Sequence, residues 1–270
     1  MNGNTGRVRV IRVANAGHAA FAAAMIGLGV LGLIKRDFAP IWPPVPQGVP
    51  ARTVLIYLCG LIPVACGIGL IVQRAAAAAA RVLLAFFVLW FLLLRLPLLL
   101  ISPTVDVWWA SCQTAVMMAA AWVLFVWFVA DRDRQRLDFP AGDRGVRIAR
   151  VLYGLALIPF GLAHFIYLQV TADLVPDWLP WHVAWAYFTG GTFIAAGVAV
   201  LIRVCARLAA ALSALQMAMF ALLVWIPRAA AGTLNAFQWG EFVTTLTLTA
   251  GGWVVADSYR GISWLAVGKE

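Results

Sequence analysis

Four ionisable residues stand inside long apolar runs of this chain: Arg95, His164, Arg228 and Glu241. In a bilayer such residues are expensive, about 2.5–3.5 kcal/mol each at mid-membrane, and they mark function by default. All four fall toward one end of their runs, where the penalty drops and long side chains reach the interface. For Arg95 and Arg228 the plainer reading is snorkelling, or pairing with Asp106 and Glu241. His164 differs, because neutral imidazole titrates and hydrogen-bonds near physiological pH. The alternative is a satisfied structural histidine at a helix end.

A Pro- and Trp-rich segment follows His164 and carries Asp173, Asp177, Trp178, Trp181 and His182. His164, Asp177, Trp178, His182, Arg228 and Glu241 form the candidate ligand-binding set. An acid, a base and aromatics beneath a proline-stiffened loop suit a quinone head group or another small amphipathic molecule. A polar, capped end of a helix bundle is the competing reading. No catalytic residue is assigned, and enzyme activity stays open.

Other chemistries find little support. The three histidines are far apart, and Cys59, Cys66, Cys112 and Cys205 form no C-x-x-C pair. No metal cluster or thioredoxin-like site is therefore expected. Phosphate-binding loops, nucleophile elbows and H-E-x-x-H motifs are absent. The small residues of the Gly190-Gly191 and Ala195-Ala196-Gly197 stretch read as helix-packing positions, and Thr244, Thr245, Thr247 and Thr249 as interhelical hydrogen-bonders.

These residues need elements to hold them. The chain is 64% hydrophobic and only 11% charged, well beyond ordinary soluble usage. Runs of about 20 residues without charge match the thickness of a ~30 Å hydrocarbon core. They are continuous, not alternating, which excludes a β-barrel. Eight helical spans are expected, over 13–34, 55–72, 82–100, 107–130, 151–169, 185–202, 208–226 and 242–256. The first is too long for the apolar core of a signal peptide. Pro63 is an expected kink, and 75–80 a short turn or a helical bend.

The net charge of +9 sits in flanks between these runs. It therefore reads as membrane topology, not as a nucleic-acid surface. Counting Lys and Arg by side puts 15 with the two termini and 5 on the opposite face. The positive-inside rule then makes both termini cytoplasmic in a bacterial-type inner membrane.

The chain also repeats. At a spacing of 130, Pro46, Pro50 and Pro97 meet Pro176, Pro180 and Pro227, while Trp109 and Thr114 meet Trp239 and Thr244. Tyr57, Gly60, Ala65 and Gly67 likewise meet Tyr187, Gly190, Ala195 and Gly197. A fixed period indicates internal duplication. The expected units are a first four-helix repeat at 1–130, a basic linker at 131–150 and a second repeat at 151–270. In the first span, Gly32-x-x-Lys35 meets Gly161-x-x-His164 only with a one-residue shift. An even number of spans per unit makes the repeats parallel. Gln47, Gly48 and Ser111 stand where Asp177, Trp178 and Glu241 do, so a site kept by one unit belongs to the second.

The sequence Gly161-Leu162-Ala163-His164-Phe165, then Val175-Pro176-Asp177-Trp178-Leu179-Pro180, Tyr187-Phe188-Thr189-Gly190, Ala196-Gly197 and Arg203 resembles the DoxX-like family of small four-helix membrane proteins. Gly32-x-x-Lys35 and Tyr57-x-x-Gly60 repeat the pattern more faintly. The resemblance implies a four-helix bundle per unit. It also implies a link to quinone-linked redox or oxidative-stress chemistry, since the family is similar to a subunit of a thiosulfate:quinone oxidoreductase. The implied partners are the lipid bilayer and a redox subunit. It carries over no catalytic residue, and the doubled length departs from the usual single unit. A small-molecule transporter and a membrane scaffold without a ligand are the alternatives.

Overall fold

The computed structural model describes residues 16–129 and 141–268. Arg7, Arg9 and Arg12, the first ten residues of the expected linker and Lys269 lie outside the described residues. Among the described residues all regular structure is helical, apart from one isolated bridge between Val204 and Val267.

The helices are α1 (Ala16–Lys35), α2 (Arg52–Ile71), α3 (Ala76–Ile101), α4 (Val105–Phe128), α5 (Asp143–Ile166), a short α6 (Leu168–Leu174), α7 (His182–Leu201), α8 (Ala206–Ala230) and α9 (Ala236–Asp257). Seven of them, all but α6 and α9, are long and apolar enough to cross a membrane. α9 has comparable length, 22 residues, but carries Gln, Glu and four threonines among its apolar positions.

Two boundaries differ from expectation. α5 starts at Asp143, so the end of the basic segment forms its first two turns. The chain turns between Val72 and Ala75, and Arg81 lies within α3. α2 runs through Pro63 without ending.

Two of the proline-bearing helices, α3 and α8, widen just before their proline. Phe91–Arg95 in α3 and Ala221–Trp225 in α8 are π-helical, 130 positions apart, with Pro97 and Pro227 following. A proline ring clashes with the carbonyl four residues back and lacks an N–H. One extra residue in the turn moves that carbonyl aside. The same spacing recurs at the starts of α2 and α7, where Ala51 and Trp181 adopt left-handed backbone with φ of 54° and 59°.

The first helices obey another register. A Cβ on Gly29 would come within 2.3 Å of the Gly60 carbonyl oxygen, and one on Gly161 within 2.4 Å of the Gly190 oxygen. Gly67 sits against Ala22 as Gly197 sits against Gly154. The packing therefore matches Gly29, not Gly32, to Gly161. That spacing is 132, so the loop after α1 is two residues longer than its counterpart after α5. Glycines at these crossings let the backbones touch.

Each helix packs on its neighbour around a closed circuit: α1, α2, α3, α4, α5, α7, α8, α9 and α1 again. α4 and α9 also meet across the middle. The last helix of each half thus lies against the first helix of the other, and α4 is enclosed along almost its whole length. The circuit has two ends. The loop end carries the connections after α1, α3, α5 and α8. The terminal end carries the turns after α2 and α7 and the segment after α9.

Candidate functional site

At the loop end of the first half, Arg95 organises the structure. It is completely buried. Its guanidinium donates to the carbonyls of Ile41 (3.1 Å), Trp42 (2.8 Å), Pro43 (2.9 Å) and Pro44 (3.1 Å) and to Thr114 Oγ1 (3.2 Å). Arg95 therefore neither snorkels nor pairs with Asp106. A planar fork of five donors satisfies several carbonyls at once, and loop carbonyls without a donor would be costly inside an apolar bundle.

The loop this fixes is folded inward. Phe38, Ala39, Ile41 and Trp42 are buried. The Trp42 ring stacks on Phe87 at 5.6 Å and meets Trp90 edge-on at 5.0 Å. Asp106, at the start of α4, accepts from Tyr167 Oη at 3.0 Å. That bond holds the Tyr167 phenol above its ordinary pKa.

The second half is built differently at the same end. His164 is buried on α5, and its Nδ1 donates to the Phe160 carbonyl one turn back (2.7 Å). A neutral ring bonded this way keeps its lone pair on Nε2. Phe193 and Phe220 flank the imidazole, with centroids 5.5 and 5.9 Å away. Phe160 and Trp109 extend the cluster. Glu241, on α9, is half-buried, and its carboxylate has no hydrogen bond or ion pair among the described residues. One turn on, Thr245 donates to the Glu241 carbonyl and accepts from Trp225 Nε1 at 3.0 Å.

The remaining candidates lie nearer the surface. Arg228 does not pair with Glu241; its guanidinium donates to the Asp173 carbonyl (2.8 Å) and ties α8 to the end of α6. Asp177 and Trp178 are exposed on the segment between α6 and α7, Trp178 at 69%. His182, the first residue of α7, is half-buried. Among the described residues no hydrogen bond or ion pair joins any two of the six. The threonines of α9 mostly bond within their own helix: Thr245, Thr247 and Thr249 donate to carbonyls four residues back, and among the described residues only Thr245 takes a donor from another helix.

In the packing register, Gly32 is the counterpart of His164, Ser111 of Glu241 and Arg95 of Trp225. A Cβ on Gly32 would meet the Asp37 carbonyl oxygen at 3.3 Å, because the inserted loop lies against that helix. One half therefore covers its loop end with an inward-folded segment held by Arg95. The other has a histidine, a carboxylate and a short capping helix.

Phe160, Phe193, Phe220 and Trp225 were not among the sequence candidates, and Thr245 was read there only as an interhelical hydrogen-bonder, which its bond from Trp225 bears out. Phe160 is legible as the residue one helical turn before His164. Phe193 and Phe220 lie on other helices, and no local spacing connects them to His164. Among the described residues no group of His, Cys, Asp or Glu is arranged to hold a metal. Compared with models of known protein families, with curated proteins and with solved structures, the chain matches none.

Proposed function

We propose that this chain is a DoxX-like protein of a bacterial-type inner membrane, crossing it eight times as two parallel four-helix repeats with both termini cytoplasmic. The loop end of the second repeat binds the head group of a quinone or a similar small amphipathic molecule. The protein acts as a membrane subunit or accessory in quinone-linked redox or oxidative-stress chemistry. The observation that carries this reading is Glu241: a half-buried carboxylate on α9, without a partner among the described residues, in the half whose loop does not fold inward. Such a group is costly unless something binds it.

The chemistry follows from the donor set. A quinone presents two carbonyl oxygens to hydrogen-bond donors, and its reduction consumes two protons. A protonated Glu241 donates to such a carbonyl, and an imidazole with a free Nε2 takes or passes a proton. The aromatic rings around His164 offer a flat apolar surface for the head group. Electrons come from a redox partner subunit, and the protein's own part is binding and proton supply.

One observation favours a second reading, a scaffold without a small ligand. At the central α4–α9 contact, a Cβ on Gly251 would lie 2.6 Å from Met117 Cε. This close fit also weighs against a transporter, which must part its halves. Mass spectrometry of quinones and lipids co-purifying in mild detergent tests the proposal, with wild type beside His164→Ala and Glu241→Ala. Stoichiometric quinone in the wild type, lost in both variants, is expected. No enriched small molecule in the wild type would remove the ligand site and leave the scaffold.

A further inference from the structure

The terminal end of the second half carries a separate feature, independent of the loop-end site. A cleft opens there between the start of α5, the α7–α8 turn and the segment after α9. Arg147, Arg150 and Arg203 line it together with Tyr259, and among the described residues no carboxylate does.

Arg150 is the fixed member. It is buried, donates from Nε to Ser258 Oγ (3.0 Å) and from Nη2 to the Ser258 carbonyl, and lies 3.9 Å from the Tyr259 ring centroid. Arg203 is held in an unusual backbone. Its φ is 59°, and Cys205 follows at 49°. A non-glycine residue in the left-handed region is strained, and the strain persists only where neighbours impose it. Here the C-terminal segment does so. Cys205 N–H donates to the Ala266 carbonyl (2.8 Å), and Gly268 N–H donates to the Arg203 carbonyl (3.0 Å). Arg207 reinforces that segment by donating to the Ile262 carbonyl (2.7 Å) and stacking on Trp264 at 4.1 Å. The turn that carries Arg203 is thus set by a strap of chain spanning residues 259–268.

Beyond the arginines the surface becomes apolar. Val151 and Leu155, one turn apart on α5, are 42% and 51% exposed. Val198 and Ile202, one turn apart at the end of α7, are 41% and 60% exposed. Guanidinium groups match a phosphodiester bidentately, and adjacent exposed aliphatic side chains match acyl chains. A free phosphate would use only the first feature. We infer that this cleft binds the head group of an anionic phospholipid, with its acyl chains along α5 and α7. Arg147 and Arg203 have other contacts of their own, which the phosphate joins. A basic pocket between helices at the positively charged end is the setting in which such head groups are held.

The test uses the full chain, delipidated in neutral detergent, and phosphatidylglycerol, phosphatidylcholine of the same acyl chains, or inorganic phosphate. Native mass spectrometry counts retained lipid, and thermal unfolding reports stabilisation. Phosphatidylglycerol should be retained and raise the midpoint, while phosphatidylcholine should do neither. Arg203→Gln should weaken retention about tenfold. Arg74→Gln, which removes the same charge at the same end away from the cleft, should leave it unchanged. Equal retention of the two lipids, or equal loss in both variants, would overturn the inference. So would inorganic phosphate alone reproducing the full shift, since it would assign the cleft to a free oxyanion. Because the lipid comparison is made on unmodified protein, it decides the matter even if Arg203→Gln folds poorly.

Discussion

Arg95 and Glu241 are both ionisable residues on apolar helices, and the structure treats them in opposite ways. Arg95 is saturated with acceptors, so its role is to fix a loop. Glu241 has no donor among the described residues, and in the proposed reading a bound ligand supplies its partner. Replacing Arg95 by Met removes the charge but strands the carbonyls of Ile41 to Pro44. Buried acceptors without donors cost about 1–3 kcal/mol each. Arg95→Met should therefore lower stability by about 3 kcal/mol or more, read as an earlier thermal midpoint in detergent. The emission of Trp42, a buried ring in the loop, should shift to the red as the loop leaves the bundle. An unchanged midpoint with unchanged emission would show that the loop holds its place without Arg95. Glu241→Gln makes the converse prediction. With no partner to lose, the folded protein should be as stable as wild type or more so, while any quinone bound by the wild type is released. A marked loss of stability would instead mean that Glu241 is a structural residue.

The helices meet where glycine permits it. A Cβ at Gly161 would strike the backbone oxygen of Gly190 at 2.4 Å, which no side-chain rotation can relieve. Gly191, one residue from that partner, would meet nothing within 4 Å. Gly161→Ala should therefore force α5 and α7 apart and destabilise markedly. Gly191→Ala should be neutral, or stabilising by up to about 1 kcal/mol through helix propensity. Thermal unfolding of the two variants side by side checks this, and equal midpoints would contradict the crossing geometry. Such contrasts show how far sequence reaches. Periodic prolines and glycines made the second to fourth helices of each half legible, because those residues do local work at fixed positions. The first helices were misaligned there, because Gly32 and Gly29 look alike until the partner helix is seen. The inward fold of residues 38–42 was not legible at all. It depends on a guanidinium more than 50 positions away, and a proline-rich loop reads locally as surface.

At the scale of the whole molecule, two halves share a helix order, two π-helical turns and two left-handed helix starts at one spacing. Yet neither half closes on itself, since α1 lies on α9 and α5 on α4. In the proposed reading the halves are duplicated copies, one of them structural and the other holding a ligand. The loop ends differ in that sense: an Arg95-held plug in one half, His164 and Glu241 in the other. The candidate residues His164, Arg228 and Glu241 were legible as charges in apolar runs. Apart from Phe160, one turn before His164, their neighbours were not, because an aromatic cluster drawn from four helices has no signature in any one of them.

The proposed topology of eight crossings requires that α9 cross the membrane, although it lies outside the seven helices that are long and apolar enough to do so. Labelling of single cysteines with a membrane-impermeant maleimide, in a cysteine-free background, tests this most directly. Cysteines are introduced at Gln47 in the first loop, Asp177 in the second, Arg74 in the turn after α2 and Ser263 after α9. The account predicts that Gln47→Cys and Asp177→Cys are labelled from outside intact cells, and that Arg74→Cys and Ser263→Cys are labelled only after the membrane is opened. Labelling of Ser263→Cys from the same side as Asp177→Cys would leave α9 outside the bilayer, give an odd number of crossings and contradict the account of two parallel four-helix repeats.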